Sequence, residues 1–244
     1  MVFTYYGHSC FCVSVGGKNI LFDPFITPNE LAKDIDIDAI KADYIFLSHG
    51  HFDHMTDTAL IAQKTGAKVI ASWELYNWCL EIGISNSQPL NPGGKWEFEF
   101  GTVHCVLAQH SSSLPDGRYA GTACGFVLVT KEGSFYYSGD TALSIDMKLI
   151  SRYGALNFGV FPVGGALTME PEDVIELASW LNIQQVVGVH YDTFGFIRID
   201  HECTLQKFKA ANVNLILLPV GACMLMTQEG TNKSQEQLTG ESSS

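Results

Sequence analysis

The residues best suited to chemistry lie in one short run, Leu47-Ser48-His49-Gly50-His51-Phe52-Asp53-His54, which contains three histidines and one aspartate. The run follows the apolar segment Tyr44-Ile45-Phe46, which is typical of a buried strand. Neutral imidazoles and carboxylates are the usual protein ligands of zinc, iron and manganese. Such a concentration of them at the end of a strand is hard to explain by packing, so the run predicts a metal site.

The spacing within this run predicts that its side chains serve two metal ions. His49 and His51 are two residues apart in an extended turn, so both rings can face the same ion. Asp53 and His54 begin the helix that follows and can face a second ion. In two-metal hydrolytic sites the ions lie roughly 3.5–4 Å apart and share a water that is deprotonated near neutral pH.

Three further ligand candidates lie in distant parts of the chain, each after its own predicted strand: His110, Asp140 and His190. Active-site groups of layered α/β folds collect on the loops at one end of the sheets. We therefore expect these three side chains to complete the site that the first run begins.

The elements that must position these residues alternate between strands and helices. The predicted strands cover residues 2–6, 10–15, 20–22, 44–47, 68–71, 96–100, 102–108, 123–130, 134–137, 158–163 and 186–189. The predicted helices cover residues 58–64, 73–81, 144–153, 171–181 and 202–211. Residues 215–218 and 223–226 are predicted to form a closing hairpin. The pattern predicts an α/β fold in which two sheets pack together with helices outside.

The same pattern predicts a single domain over residues 1–227, because no internal repeat or linker interrupts this range. From Gln228 onward the chain contains one leucine, no aromatic residue and a Ser-rich end. Such a segment cannot bury enough apolar surface to fold, so residues 228–244 are predicted to be a disordered tail.

The charge of the chain bears on its partners. Lys and Arg number 14 against 26 Asp and Glu, a formal net charge of −12, which repels phosphate backbones and anionic membranes. The longest apolar tract, residues 215–226, is too short to span a bilayer and is interrupted by Pro219 and Gly221. We therefore expect a small-molecule substrate, no nucleic acid and no membrane, while homo-oligomerisation is left open.

The cysteines indicate a reducing compartment. Seven of them are scattered along the chain without a C-x-x-C motif, so a disulfide framework is not expected. Cys10 and Cys12 are either a weak metal-binding pair or small core residues, and the core interpretation is favoured. The segment Met1-Val2-Phe3-Thr4-Tyr5-Tyr6-Gly7-His8 lacks the features of a signal peptide, so we predict a cytoplasmic protein.

The segment His49-Gly50-His51-Phe52-Asp53-His54 resembles the H-x-H-x-D-H motif of the metallo-β-lactamase superfamily. Seven other segments resemble a bacterial branch of metal-dependent hydrolases related to ascorbate-6-phosphate lactonase. They are Gly7-His8-Ser9, Leu21-Phe22-Asp23-Pro24-Phe25, Ala108-Gln109-His110-Ser111-Ser112-Ser113, Ser138-Gly139-Asp140-Thr141-Ala142, Asp146-Met147-Lys148-Leu149-Ile150, Met169-Glu170-Pro171-Glu172-Asp173 and His190-Tyr191-Asp192-Thr193-Phe194. That branch often has an Asp-Asn pair where this chain has Gly164-Gly165, so the substrate specificity of the branch is not carried over.

The resemblance implies a four-layer αβ/βα sandwich, with two mixed β-sheets and helices outside, and a site for two divalent metal ions. By position, the first metal would be held by His49, His51 and His110. The second would be held by Asp53, His54 and His190, with Asp140 bridging the two. Zinc is the default for His-rich hydrolases, resemblance to the lactonase suggests manganese, and iron is less favoured.

We predict a hydrolase that uses a metal-bridging hydroxide on a small ester, lactone or phosphodiester. Asp53 would orient the water, His8 and Tyr191 are the candidate proton donors, and Arg198 is a candidate for holding an anionic group. The alternative is an iron-loaded redox protein or a non-catalytic metal-binding protein of the same fold. Oxygen-reducing di-iron members of the superfamily have Glu where this chain has His51, which favours hydrolysis.

Overall fold

Two seven-stranded sheets form the centre of the protein, as seen in a computed structural model that describes residues 1–227. The predicted tail, residues 228–244, lies outside the described residues. The prediction that residues 1–227 form a single domain stays a prediction. Within the described part of the chain, no helix is long and apolar enough to cross a membrane.

The first sheet contains the strands β1 (Val2–Gly7), β2 (Cys10–Val15), β3 (Lys18–Phe22), β4 (Tyr44–Phe46), β5 (Lys68–Ala71), β6 (Ser87–Pro89) and β14 (Cys223–Leu225). Their order is β14-β1-β2-β3-β4-β5-β6. The pairs from β14 to β3 are antiparallel, and those from β3 to β6 are parallel. The sheet is therefore mixed.

The second sheet contains β7 (Lys95–Phe98), β8 (Gly101–Leu107), β9 (Cys124–Thr130), β10 (Gly133–Tyr137), β11 (Phe158–Pro162), β12 (Gln185–Val189) and β13 (Asn214–Ile216). Their order is β13-β12-β11-β10-β9-β8-β7. Pairs from β7 to β10 are antiparallel, and those from β10 to β13 are parallel. Like the first sheet, it is mixed.

Five α-helices lie among these strands: α1 (Phe52–Met55), α2 (Thr58–Thr65), α3 (Trp73–Glu81), α4 (Pro171–Leu181) and α5 (His201–Ala210). Short 3-10 segments cover Glu30–Ala32, Ile37–Ala39, Ile145–Tyr153 and Gly195–Ile197. The start of α4 has two features typical of helix N-termini. Pro171 is its first residue, and Glu170 and Asp173 form a capping box.

The core is divided into three layers, which explains why the central strands β4, β11 and β12 are buried along their whole length. An aromatic layer rich in phenylalanine lies between the sheets. A second apolar layer packs α2 and α3 on the outer face of the first sheet. A third packs α4 and α5 on the outer face of the second sheet. The predicted α/β sandwich, with two mixed sheets inside and helices outside, is confirmed.

The predicted closing hairpin is wrong. β13 pairs in parallel with β12 in the second sheet, whereas β14 pairs antiparallel with β1 in the first sheet. Between them the chain crosses from one sheet to the other, and Gly221 donates a backbone hydrogen bond to the Tyr5 carbonyl at 2.7 Å. Two apolar runs separated by a turn have the pattern of a hairpin, but each run here covers the open edge of a different sheet.

The ligand-bearing loops leave strands that run in the same direction. In the first sheet, His8 follows β1, Asp23 follows β3 and His49 follows β4 closely. In the second sheet, His110, Asp140 and His190 follow β8, β10 and β12. Because each loop leaves the same end of its sheet, side chains far apart in sequence reach one place.

A glycine allows the turn after β11 to pass close to one of these loops. A Cβ atom added at Gly164 would lie 2.2 Å from the carbonyl oxygen of His190 and 2.9 Å from the Cβ of Ile197. Neither atom is the end of a flexible side chain, so a larger residue must push the His190 loop away. Gly164 therefore fixes how closely the two loops can approach.

We predict that Gly164→Ala lowers the free energy of unfolding by about 1–3 kcal/mol, because the added methyl overpacks this contact. Urea denaturation of the purified variant measures the change. The matched control is Gly195→Ala, whose added Cβ meets no atom within 4 Å, and its effect should stay within about 0.5 kcal/mol. Equal destabilisation by both substitutions would contradict the steric argument.

Candidate metal centre

The seven predicted metal ligands come together at one end of the two sheets. Apart from Asp140, their ligand atoms fall into two groups, and the atoms of each group lie within 4.8 Å of one another. The first group is His49, His51 and His110. The second group is Asp53, His54 and His190, joined by His8.

Asp140 lies between the two groups, where a bridging ligand is expected. Its Oδ2 atom is 3.0 Å from His190 Nε2, 3.3 Å from His54 Nε2 and 3.7 Å from His110 Nε2. The side chain is only 3% exposed. One carboxylate oxygen of a buried side chain therefore faces members of both groups.

Hydrogen bonds on the outer side of the first group orient its rings. His49 Nδ1 lies 2.9 Å from the Ser48 hydroxyl, which leaves Nε2 pointing inward, 2.9 Å from His51 Nδ1. The backbone N–H of Gly50 donates to the Ser112 hydroxyl at 3.1 Å. Contacts of this kind fix the ring orientation and the tautomer of a metal-binding histidine.

The carboxylate of Asp23 is the main support of the site, and it is fully buried. Its Oδ2 atom accepts hydrogen bonds from the hydroxyls of Ser48 and Tyr137, both at 2.5 Å, and lies 2.9 Å from His54 Nδ1. Its Oδ1 atom accepts from the Ser48 backbone N–H at 2.7 Å. Asp23 thus orients His54 directly and His49 through Ser48.

His8 supports Asp53 on the other side of the site. His8 Nε2 is 3.0 Å from Asp53 Oδ2, and its Nδ1 is 3.0 Å from the Thr193 hydroxyl. Burial, followed by the charge of His190, lowers the pKa of His8 to about 4, so the ring is neutral near pH 7. With Asp53 ionised, the single ring proton belongs on Nε2, so Nδ1 is an acceptor beside the Thr193 hydroxyl, which also lies 3.3 Å from the Tyr191 carbonyl oxygen.

The buried carboxylates stay ionised because imidazoles surround them. Burial by itself raises the pKa of Asp53, but His54 and His8 outweigh it and hold this pKa below its ordinary value. For Asp140, burial also raises the pKa, and the opposing effects of His190 and His54 leave it well below normal. Both groups are therefore negatively charged at neutral pH.

His54 differs from the other ring ligands in its protonation. Burial lowers its pKa, but Asp140 and then Asp53 raise it well above the ordinary value, so the ring is protonated without a metal. Burial lowers the pKa of His49, His51 and His110, which favours the neutral form that binds metals. A bound cation would take over the role of the His54 proton beside the carboxylates.

These residues fit a metal centre in chemistry as well as in position. Imidazole nitrogens and carboxylate oxygens are ligands of zinc, manganese and iron. Asp140 Oδ1 is buried and has no hydrogen-bond partner among the described residues. A buried polar atom without a partner is costly, and coordination of a cation would satisfy it.

The site opens into a cavity of about 690 Å³. It is lined by His51, Phe52, Asp53, His110, Ser113, Leu114, Pro115, Gly117, Asp140, Leu167, His190, Phe194 and Phe196. Ligand side chains from both groups therefore form part of the surface that a small molecule would contact.

Three other predicted residues, Tyr191, Arg198 and His8, do not line this cavity. Tyr191 is buried and stacks on Tyr5 with ring centroids 6.5 Å apart, and burial raises its pKa to about 12. Arg198 is exposed and lies outside the lining. His8 is likewise buried behind Asp53. The roles of Tyr191 and His8 as proton donors stay predictions.

The remaining histidines and the C-x-C pair lie outside the two ligand groups. His104 stacks on Tyr153 with centroids 4.1 Å apart, and exposed His201 contacts Asp192 at 2.6 Å. Cys10 and Cys12 are buried in the layer beneath α2 and α3, as the core interpretation predicts. All seven cysteines are free thiols.

Asp23 is the functional residue whose role the sequence analysis missed. Asp23 directly follows β3 and lies in one of the segments that resemble the hydrolase branch, but neither signal indicates which side chains its carboxylate contacts. The Asp23-Pro24 dipeptide has the ordinary appearance of a turn that stops a hairpin. Its link to His54 joins residues 31 positions apart, which no short motif can reveal.

We predict that Asp23→Asn lowers the free energy of unfolding by about 2–4 kcal/mol and weakens metal binding by about 10–100-fold. Both oxygens of Asp23 accept hydrogen bonds in the wild type. In either orientation of the Asn amide, the new NH₂ group would therefore face another hydrogen-bond donor. Chemical denaturation and titration with zinc measure the two effects.

The matched control is Asp57→Asn. Asp57 is also buried and accepts hydrogen bonds from the backbone N–H groups of Ile26 and Thr27, but it contacts no ligand. The Asp57→Asn substitution should lower the free energy of unfolding while leaving zinc affinity within about 2-fold of wild type. If both variants lost zinc affinity equally, Asp23 would have no special role in orienting the ligands.

Comparison with known proteins agrees with this geometry. Residues 2–190 match the family model described as the beta-lactamase superfamily domain. A metal-dependent hydrolase of Methylacidiphilum infernorum is 45% identical over 222 residues, which cover 91% of this chain and 98% of the relative.

Two solved structures have the same architecture. A metallo hydrolase of the archaeon Ignicoccus hospitalis is 30% identical with a TM-score of 0.82, over 91% of this chain and 96% of its own. An isothiocyanate hydrolase from Delia radicum gut bacteria has a TM-score of 0.77, over 93% of this chain and 100% of its own. At 17% identity it shows the shared fold alone. The matched model and the 45% identical relative show that the chain belongs to the metallo-β-lactamase superfamily of metal-dependent hydrolases.

Proposed function

We propose that the protein is a dinuclear metal-dependent hydrolase of a small ester, lactone or phosphodiester. One observation carries this proposal: two groups of nitrogen and oxygen ligands meet across Asp140 at the floor of a cavity. In hydrolysis of an ester, the acyl C–O bond breaks, the hydroxyl of water joins the acyl carbon, and a proton passes to the leaving oxygen.

Two divalent ions in this site would supply an activated water near neutral pH and polarise the bond that is broken. The ionised carboxylates of Asp53 and Asp140 offset the positive charge of such ions. The proton on His8 Nε2 can reach the cavity only by way of Asp53 Oδ2, because His8 lies behind that residue. His8 therefore holds Asp53 in position and can exchange a proton with it.

Zinc and manganese are the ions we propose. Five histidines among seven ligands suit zinc, and the resemblance to ascorbate-6-phosphate lactonase favours manganese. Iron is the less favoured ion, and it would support the alternative of a redox protein. We also propose a cytoplasmic location, a small molecule as the partner, and no role for nucleic acid or membranes. Sedimentation analysis would measure whether the chain forms homo-oligomers.

We predict that the purified protein binds about two ions per chain and that His110→Ala and His190→Ala each retain about one. Each variant removes a ligand from only one of the two groups. Elemental analysis after dialysis measures the content. His104→Ala is the control, since this histidine stacks on Tyr153 away from the site, and it should keep both ions. One ion in the wild type, abolished by either substitution, would contradict a dinuclear centre.

We predict that chelation abolishes hydrolysis and that zinc or manganese restores it. The assay screens phenyl esters, lactones, phosphodiesters and an isothiocyanate, with Asp53→Asn as an inactive comparison. Activity that survives complete removal of metal would refute the proposed function. Oxygen uptake by iron-loaded protein, without hydrolysis by any metal form, would support the redox alternative instead.

A further inference from the structure

The wall of the cavity above the metal ligands is apolar and contains three phenylalanines. Phe52 and Phe194 lie with ring centroids 6.2 Å apart, and Phe194 stacks on Phe196 at 5.7 Å. Phe196 and Leu167 are each 60% exposed, and Phe52 is 49% exposed. Large apolar side chains that are open to water and line one cavity are typical of a binding site for an apolar group.

The same wall offers no cation to a charged substrate. Among the residues that the structure describes, none of those lining the cavity is a lysine or an arginine. Arg118 follows the lining residue Gly117, but its guanidinium pairs with Glu81 at 2.9 Å and Asp116 at 2.8 Å. Metal ions held by the two ligand groups would offset charge on the reacting group. An anionic group farther along the substrate would be buried against phenylalanine without a partner, which is costly.

We propose that the natural substrate is an uncharged ester or lactone that carries an apolar chain or an aromatic ring beside the bond that is broken. This inference rests on the proposed hydrolase function and narrows its substrate. It disfavours a phosphorylated lactone as the substrate, because no lysine or arginine lines the cavity to pair with a phosphate. The apolar group lies against Phe52, Phe194, Phe196 and Leu167 while the acyl carbon lies over the ligand groups.

The test compares two esters of equal length, one ending in a phenyl ring and one in a carboxylate, with zinc- or manganese-loaded protein. We expect kcat/KM to be at least about 100-fold higher for the phenyl ester. Phe196→Ala and Leu167→Ala should each raise KM for that ester by about 5–10-fold with little change in kcat, since they remove binding surface. Phe196→Arg should reduce the preference for the phenyl ester by at least about 10-fold.

Leu149→Ala is the matched control for Leu167→Ala, because both leucines are 60% exposed and Leu149 lies outside this cavity. It should leave both kinetic constants unchanged. Equal or better turnover of the carboxylate ester would overturn the inference and leave the hydrolase function intact. The inference would also be overturned if Phe196→Ala and Leu167→Ala left KM unchanged, as Leu149→Ala should.

A binding measurement keeps the inference testable if neither ester is hydrolysed, a result that would count against the proposed function. Two amides of equal length, ending in phenyl or carboxylate, are titrated into the metal-loaded protein by calorimetry. We expect the phenyl amide to bind at least about 10-fold more tightly and Phe196→Arg to remove that difference. Equal affinities, or tighter binding of the carboxylate amide, would overturn the inference.

Discussion

A buried carboxylate at the junction of the two sheets is the constraint on which the site depends. Asp23 leaves the end of β3 in the first sheet and accepts a hydrogen bond from Tyr137, the last residue of β10 in the second. The same carboxylate holds His54 and, through Ser48, His49. Because a buried charge without partners is costly, the sheets must meet in the register that satisfies it. That register brings the loop of Asp140 to the ligands of the first sheet.

The cluster of candidate metal ligands could be predicted from sequence because the signals of its members are local. The motif from His49 to His54 concentrates ligand types in six residues, and His110, Asp140 and His190 each follow a strand that alternation or apolar runs reveal. The layered architecture could be predicted for a related reason, since strands buried on both faces require cover on both sides. Membership of the superfamily follows from the same motif.

Features set by tertiary pairing could not be predicted in this way. Nothing local indicates that the apolar runs of β13 and β14 join different sheets, or that Ser87–Pro89, a polar run with a proline, extends the first sheet at its edge. The contact of His8 with Asp53 likewise spans 45 positions, so the sequence identified His8 as a candidate proton donor and not as the partner of Asp53. The sequence pattern indicates most of the strands, whereas the neighbour with which each strand pairs depends on the assembled core.

Backbone strain is concentrated where the loops must turn sharply toward the ligands. Three non-glycine residues of the site, His8, Asp23 and His190, have φ between 42° and 55°, in the left-handed region. Such conformations cost about 1–3 kcal/mol each and persist only where surrounding contacts enforce them. Here the enforcing contacts include the hydrogen bond from the His190 backbone N–H to the His8 carbonyl at 2.9 Å, which joins the two sheets at the site. Packing and hydrogen bonds therefore hold the loops of the candidate ligands in place, and preorganisation of this kind lowers the free-energy cost of binding at a site.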